Sequence, residues 1–167
     1  MLGSEGVGFG YFTPISLRIS TLFGVSPRMR IDLAVHAMVH RGLAEGEVRV
    51  DGDGTQWRPM LHVRDAAAAY LRCIEMPDDA LPVAPVWNVV GENIRIRTLA
   101  RTVAGELGAG VNVEFSGGPR DLRNYRLDGA AFATATGFVA RCRCESPSVG
   151  DSFGTGVGGR TRPVSGP

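Results

Sequence analysis

The sequence contains no lysine, so all 18 of its basic residues are arginine. This absence excludes mechanisms that use a lysine amine as a base, a nucleophile or a Schiff-base partner. Cysteine is also scarce. The three thiols, Cys73, Cys142 and Cys144, are odd in number, and no second Cys/His pair completes a zinc site with the last two. We therefore expect reduced thiols and no metal site.

Long apolar runs and an excess of one charge are missing as well. No segment approaches the roughly 18 apolar residues of a membrane span, and the N-terminal residues lack a basic region followed by an apolar stretch. The 167 residues carry 18 arginines against 17 acidic residues, a net charge of +1. These features favour a cytoplasmic protein with neither a membrane nor nucleic acid as its partner.

The middle of the chain predicts one α/β domain, and its hydrophobic fraction of 44% suits a soluble globular protein. Mostly apolar, β-branched runs predict strands at 15–22, 86–90 and 111–115. Apolar periodicity predicts helices at 31–43, 66–76, 98–107 and 128–137. Because strands alternate with helices, we expect part of the sheet to be parallel.

Some local details extend this prediction. Residues 47–63 alternate polar and apolar side chains around a Gly-Asp-Gly turn, which predicts a β-hairpin. Pro59 places this hairpin at a sheet edge, because proline cannot donate a ladder hydrogen bond. Asp65 and Thr98 are predicted to cap the helices that they precede.

Both ends of the chain differ from its middle. The N-terminal glycines follow no strand and open no helix, so they predict a flexible loop rather than a dinucleotide-binding loop. From Glu145 onward, Gly, Pro, Ser and Thr predominate, and such a segment buries too little apolar surface to order itself. The predicted division is a flexible segment at 1–14, a folded domain at 15–141 and a disordered tail at 142–167.

Arginines are the most informative candidates for a binding site. Arg58 lies in the predicted hairpin, and Arg120, Arg123 and Arg126 lie in the loop before the last helix. Guanidinium groups bind phosphates through pairs of hydrogen bonds, so these side chains could converge on a diphosphate. The alternative is that each arginine is a solvated surface charge.

Four segments resemble one protein family. They are LRISTLFGVSP, GDGTQWRPMLHVRDAAAAYLRCIE, WNVVGENIRIRTLA, and PRDLRNYRLD with the following ATGF. Their order and spacing across residues 15–140 are similar to the C-terminal half of the NAD-dependent epimerase/dehydratase family. These extended short-chain dehydrogenase/reductases act on nucleotide-diphosphate sugars. The resemblance implies the C-terminal part of a Rossmann-like fold, without the N-terminal NAD-binding βαβ units.

The resemblance also implies roles for individual residues. RISTLFG is similar to the family's R-x-x-N-x-Y-G, a strand end that passes the nicotinamide. Ser20 is therefore the cofactor-binding candidate, and Thr21 stands where the family has a substrate-contacting Asn. Arg58 matches the arginine of G-D-G-x-Q-x-R-D, a ligand of the substrate diphosphate. Arg123 stands where some members place a second diphosphate arginine.

Two family motifs are absent from this sequence. The NAD-binding G-x-x-G-x-x-G loop does not occur, and the catalytic Y-x-x-x-K pair cannot occur without lysine. Without a neighbouring cation, a phenol with its ordinary pKa of about 10 is a poor base at neutral pH. NAD is the cofactor of the parent family, but we expect this chain to have no catalytic residue and not to bind NAD alone.

The sequence therefore predicts an incomplete epimerase/dehydratase homologue that keeps part of a nucleotide-diphosphate-sugar binding region. Met1 is expected to be an internal start and the tail to result from a reading-frame shift, which sequencing the locus would test. The alternative is a noncatalytic binding or subunit protein, completed by a partner chain in a homo- or hetero-oligomer. The nucleotide, the sugar and the reaction type stay open.

Overall fold

A computed structural model describes residues 14–80, 82–118 and 122–144. Nearly all of the predicted flexible segment and the predicted tail from residue 145 lie outside these ranges. The strands are β1 (Ser16–Ile19), β2 (Thr21–Phe23), β3 (Glu47–Asp51), β4 (Trp57–His62), β5 (Val86–Val89), β6 (Glu92–Arg95) and β7 (Asn112–Ser116). The helices are α1 (Ala34–Glu45), α2 (Val63–Ile74), α3 (Ile96–Leu107) and α4 (Ala130–Thr136), with a short 3-10 helix at Asp78–Ala80.

Parallel pairing dominates the strands and confirms the predicted α/β class. β1 pairs with β5, β2 with β4 and β3 with β7, each in parallel, while β4 and β6 run antiparallel. The single strand predicted at 15–22 is two strands, because the chain changes its pairing partner at Ser20. The Ser20 N–H still bonds to the carbonyl of Val89, at 3.1 Å, before β2 turns to β4.

The predicted edge hairpin was wrong. β3 pairs with β7, not with β4, and its inward residues Val48 and Val50 are buried under α1 and α3. β4 is the central strand of the three-stranded sheet β2-β4-β6. Pro59 pairs with Asn93 of β6, whereas the paired register with β2 begins only at Met60, so its missing N–H removes no bond from the β2 ladder.

The cap predicted for α2 was also wrong. His62 takes the capping position, and its Nδ1 accepts a hydrogen bond from the Arg64 N–H at 3.1 Å. The carboxylate of Asp65 instead accepts the backbone N–H of Arg141 at 3.2 Å and that of Cys142 at 2.9 Å. Asp65 therefore ties the chain after α4 onto the start of α2.

The start of α3 differs from its prediction in a similar way. The helix begins at Ile96, directly after the unpredicted strand β6, and Arg95 is its cap residue without a side-chain hydrogen bond. Thr98 lies inside the first turn and does not cap the helix. The pairing of β6 with β4 brings the chain into the helix earlier than sequence periodicity indicates.

The strands separate two buried apolar clusters. The first lies among α1, α3 and the strands β2, β3, β4 and β6, with Phe23, Val35 and Leu99 fully buried. The second joins α2, α4 and β5 around Trp87 and Phe132, whose ring centroids are 5.7 Å apart. Neighbouring residues of β4 serve different clusters, because side chains alternate across a strand.

Residues 142–144, assigned to the tail from the sequence, contact the folded part. Cys144 is buried in the first cluster, and its N–H donates to the Glu92 carboxylate. None of the helices in the described ranges combines the length and apolar character needed to cross a membrane. The cytoplasmic location stays a prediction.

Candidate functional site

A cavity of about 390 Å³ brings together the three residues that the resemblance assigned to substrate binding. Thr21, Arg58 and Arg123 all contribute to its wall, although they are far apart in the sequence. Most of the remaining wall comes from the start of α1, the end of β3 and the first residue of α3, and Gln56, Met60 and Tyr125 complete it. The volume lies within the range of small-molecule sites, about 300–1,000 Å³.

Arg58 is the buried cation of this cavity. It lies on β4 with only 8% of its surface exposed. Its Nη1 donates to the carbonyl of Trp57 at 2.8 Å and to the carbonyl of Arg123. Its guanidinium carbon also lies 5.6 Å from the centre of the Tyr125 ring, within cation–π distance.

The loop before α4 is fixed against β4 and β6, which places Arg123 at the cavity. The Trp57 N–H donates to the side-chain oxygen of Asn124 at 3.0 Å. The Asn93 side chain exchanges two hydrogen bonds of 2.9 Å with the backbone of Leu127. Because these contacts fix the residues directly after Arg123, and its own carbonyl accepts from Arg58, the second predicted diphosphate arginine is held beside the first.

Arg126, another candidate arginine, does not reach this wall. The guanidinium carbon of Arg126 lies 5.2 Å from the centre of the Trp57 ring, and that of Arg95 lies 5.0 Å from the same ring. Arg126 therefore stacks on Trp57 and contributes no part of the cavity wall. Arg120 lies outside the described residues.

Positive charge prevails around the cavity. Its charged residues are Arg41, Arg49, Arg58, Arg123, Asp32 and Asp51. Asp32 is paired with Arg30 at 2.5 Å, and the hydrogen bond from Arg30 holds the Asp32 pKa below its usual value. Arg49 is also paired, with Glu47 and Glu114. Apart from these pairs, three arginines of the wall stand against one aspartate, so the cavity suits an anion.

Gln56 is a residue of this site that the sequence reasoning missed. It is 3% exposed and lines the cavity, yet its Oε1 has no hydrogen-bond partner in the described part of the chain. A buried polar atom without a partner costs about 1–3 kcal/mol, so such atoms are rare unless a ligand completes them. Gln56 could have been identified from the sequence, because it is the Gln of the G-D-G-x-Q-x-R-D motif, two residues before Arg58.

Ser20, the predicted cofactor residue, lies outside the cavity wall. It is 6% exposed, and its Oγ has no hydrogen-bond partner among the described residues. Over the same ranges, no group of three His, Cys, Asp or Glu side chains could hold a metal ion. The roles assigned to Ser20, Thr21, Arg58 and Arg123 from the resemblance stay predictions.

Comparison with known proteins adds sequence and fold relationships. Residues 8–89 match the model of the NAD dependent epimerase/dehydratase family. The structure of MoeE5 in complex with UDP-glucuronic acid and NAD is similar, with a TM-score of 0.66 and 22% identity over 86% of this chain and 45% of that one. UDP-glucuronic acid 4-epimerase from Bacillus cereus gives a TM-score of 0.67 and 22% identity, over 84% of this chain and 43% of that one.

A dehydratase of the same fold gives a comparable match. The dTDP-glucose 4,6-dehydratase of Bacillus anthracis, in complex with NAD, has a TM-score of 0.64 and 20% identity over 78% of this chain and 40% of that one. This chain thus spans less than half the length of each of these proteins. Its described residues have the fold of part of an extended short-chain dehydrogenase/reductase. In sequence, residues 8–89 of the chain are similar to the NAD-dependent epimerase/dehydratase family.

Proposed function

We propose that this chain binds a nucleotide-diphosphate sugar in the cavity at Arg58 and does not transform it unaided. The observation that carries the proposal is the buried guanidinium of Arg58, which lines one cavity with Arg123 and Thr21. A buried arginine facing a cavity is a strong ligand for phosphate oxygens, because water screens it poorly. Two arginines in one cavity wall would balance the charge of a diphosphate.

The remaining polar groups of the wall suit the uncharged parts of such a ligand. The Oε1 of Gln56 would accept a hydrogen bond from a ligand hydroxyl or N–H and so gain the partner that it lacks. The hydroxyl of Thr21 both donates and accepts hydrogen bonds. MoeE5, which resembles this chain in fold, was solved with UDP-glucuronic acid and with UDP-glucose. These two sugar nucleotides are the first ligands to try.

Cofactor binding and catalysis are proposed to need residues beyond this chain. The buried, unpartnered Oγ of Ser20 suits a hydrogen bond from a cofactor amide, but one hydroxyl cannot fix a dinucleotide. In the family, NAD supplies transient oxidation of a sugar hydroxyl when it is bound. Since the sequence holds no lysine, the Tyr–Lys pair that makes a phenol a base at neutral pH in the family cannot form within this sequence.

The experiment is a calorimetric titration of the 167-residue chain with UDP-glucose and UDP-glucuronic acid. Arg123→Gln is expected to weaken binding about tenfold, the usual size of one charge-assisted hydrogen bond. Arg101→Gln, on the exposed surface of α3, is the matched control and should leave the affinity unchanged. Absence of binding by the unsubstituted chain would contradict the proposal. Micromolar binding of NAD, followed by its fluorescence, would contradict the loss of the cofactor site.

A second candidate function is that of a subunit completed by a partner chain. Within the described residues β1 pairs on one side only, with β5, and its neighbour Val86 is 53% exposed. An unpaired parallel edge strand favours addition of another strand. A stable hetero-complex in size-exclusion chromatography would support this function. A monomer that binds the sugar nucleotide alone would count against it.

A further inference from the structure

A second cavity lies where the chain after α4 returns to α2. Its volume is about 490 Å³, and it shares no lining residue with the cavity at Arg58. Arg64 and Arg72 line it from α2, and Arg141 and Cys142 line it from the returning segment. This segment is held in place by the two backbone N–H groups that bond to Asp65.

Among the described residues, the three guanidinium groups of this cavity form no ion pair. In the described ranges the ion pairs of arginines involve Arg30 and Arg49, and none involves Arg64, Arg72 or Arg141. The one carboxylate in the wall, Asp65, is 5% exposed and already accepts two backbone hydrogen bonds. It therefore offsets only part of the positive charge, and the cavity carries a net excess of unpaired cations.

We infer that this cavity is a second binding site, specific for a phosphate-bearing small molecule. Phosphate oxygens accept the paired hydrogen bonds that a planar guanidinium donates. The three arginines less the Asp65 carboxylate leave a charge of about +2 in the wall, which a phosphate-bearing ligand would balance. The volume exceeds what one phosphate fills, so the ligand carries a further group beside the phosphate. The site is separate from the proposed sugar-nucleotide site and does not depend on it.

Cys142 provides a local readout, because it is a half-buried thiol in the wall, whereas Cys73 and Cys144 are buried. The full chain is treated with iodoacetamide in alkaline buffer at increasing pyrophosphate, and labelling of each cysteine is measured by mass spectrometry. Pyrophosphate is expected to slow alkylation of Cys142 in a saturable manner. Sodium chloride at the same ionic strength is expected not to do so.

The arginine variants test whether the protection comes from this cavity. Arg72→Gln and Arg64→Gln should each raise the half-protecting pyrophosphate concentration about tenfold, since each removes one charge-assisted contact. Arg101→Gln, an exposed arginine on α3, should leave it unchanged. Unchanged labelling of Cys142 with pyrophosphate overturns the inference. Protection that survives in both variants overturns it as well, because the guanidinium groups would then not be the ligands.

Discussion

Replacing Gln56 with methionine should stabilise the free protein, although most substitutions of buried residues destabilise. Gln56 is 3% exposed, and its Oε1 has no hydrogen-bond partner in the described ranges. Methionine has a similar unbranched shape and no polar atom to bury. The backbone carbonyl of Gln56, which accepts from the Ile96 N–H at 3.1 Å, is kept.

The size of the effect follows from the cost of the unpaired oxygen. An unsatisfied buried polar group costs about 1–3 kcal/mol, and part of this is offset by imperfect repacking of the thioether. We expect Gln56→Met to raise the free energy of unfolding by about 1 kcal/mol, and the melting temperature by about 3 °C for a domain of this size. Urea denaturation and thermal melting both measure this change.

A bound sugar nucleotide should make the wild type more stable than Gln56→Met, the reverse of their order without ligand. If the Gln56 amide receives a hydrogen bond from a bound sugar nucleotide, UDP-glucose should stabilise the wild type more than Gln56→Met, since stabilisation follows RT ln(1 + [L]/Kd). Gln56→Asn is the matched control, because it keeps a buried amide and leaves a void, and should therefore lower the melting temperature. A clear loss of stability in Gln56→Met without ligand would refute the reasoning, because the amide would then have a stabilising partner.

Three further substitutions test the packing of the fold and the contact between Asp65 and Cys142. Gly24→Ala should lower the free energy of unfolding, measured by urea denaturation, by about 2–4 kcal/mol. The backbone φ is 106°, and the new Cβ would lie 2.7 Å from Cδ2 of His62. An unchanged denaturation midpoint would contradict this. Phe132→Ala should lose about 3–5 kcal/mol in the same assay, since the ring is 1% exposed at the centre of the second cluster. Burial and then the Asp65 carboxylate raise the pKa of the Cys142 thiol, so Asp65→Asn should move the pH midpoint of Cys142 alkylation downward, and an unmoved midpoint would argue against this contact.

Periodicity was sufficient to predict the helices and several strands. The stretches around α2 and α3 are long, regular and bounded by Pro77 or Gly108, so local sequence alone indicates them. Parallel pairing also followed from the alternation of strands and helices. These features depend on short-range patterns, which a single sequence contains.

Pairing partners could not be predicted, because they depend on contacts between distant segments. Residues 47–63 carry a hairpin pattern, yet β3 finds its partner in β7, more than 60 residues later. The alternation of buried and exposed side chains in β3 is the same in either arrangement. Pro59 led to the wrong prediction of a sheet edge for a related reason. Whether its missing N–H costs a hydrogen bond to β2 depends on where the paired register begins, at Met60.

The candidate site was only partly accessible from the sequence. The family resemblance pointed to Thr21, Arg58 and Arg123, and the structure brings these three to one cavity. Gln56 was missed although it is the Gln of the G-D-G-x-Q-x-R-D motif, because its burial without a partner depends on packing. Arg126 was grouped with the others by proximity in sequence, but its stacking on Trp57 directs it elsewhere.

Arg58 has two tasks at once, and this affects how its removal can be interpreted. The guanidinium that faces the cavity also donates a hydrogen bond to the carbonyl of Arg123 and so holds the loop before α4 in place. Deleting it would release that loop even in a protein that never meets a ligand. Conversely, an anion that binds the guanidinium would weaken this hydrogen bond and make the loop more mobile. Faster hydrogen exchange at residues 122–128 would then report that the cavity is occupied, without any chemical turnover.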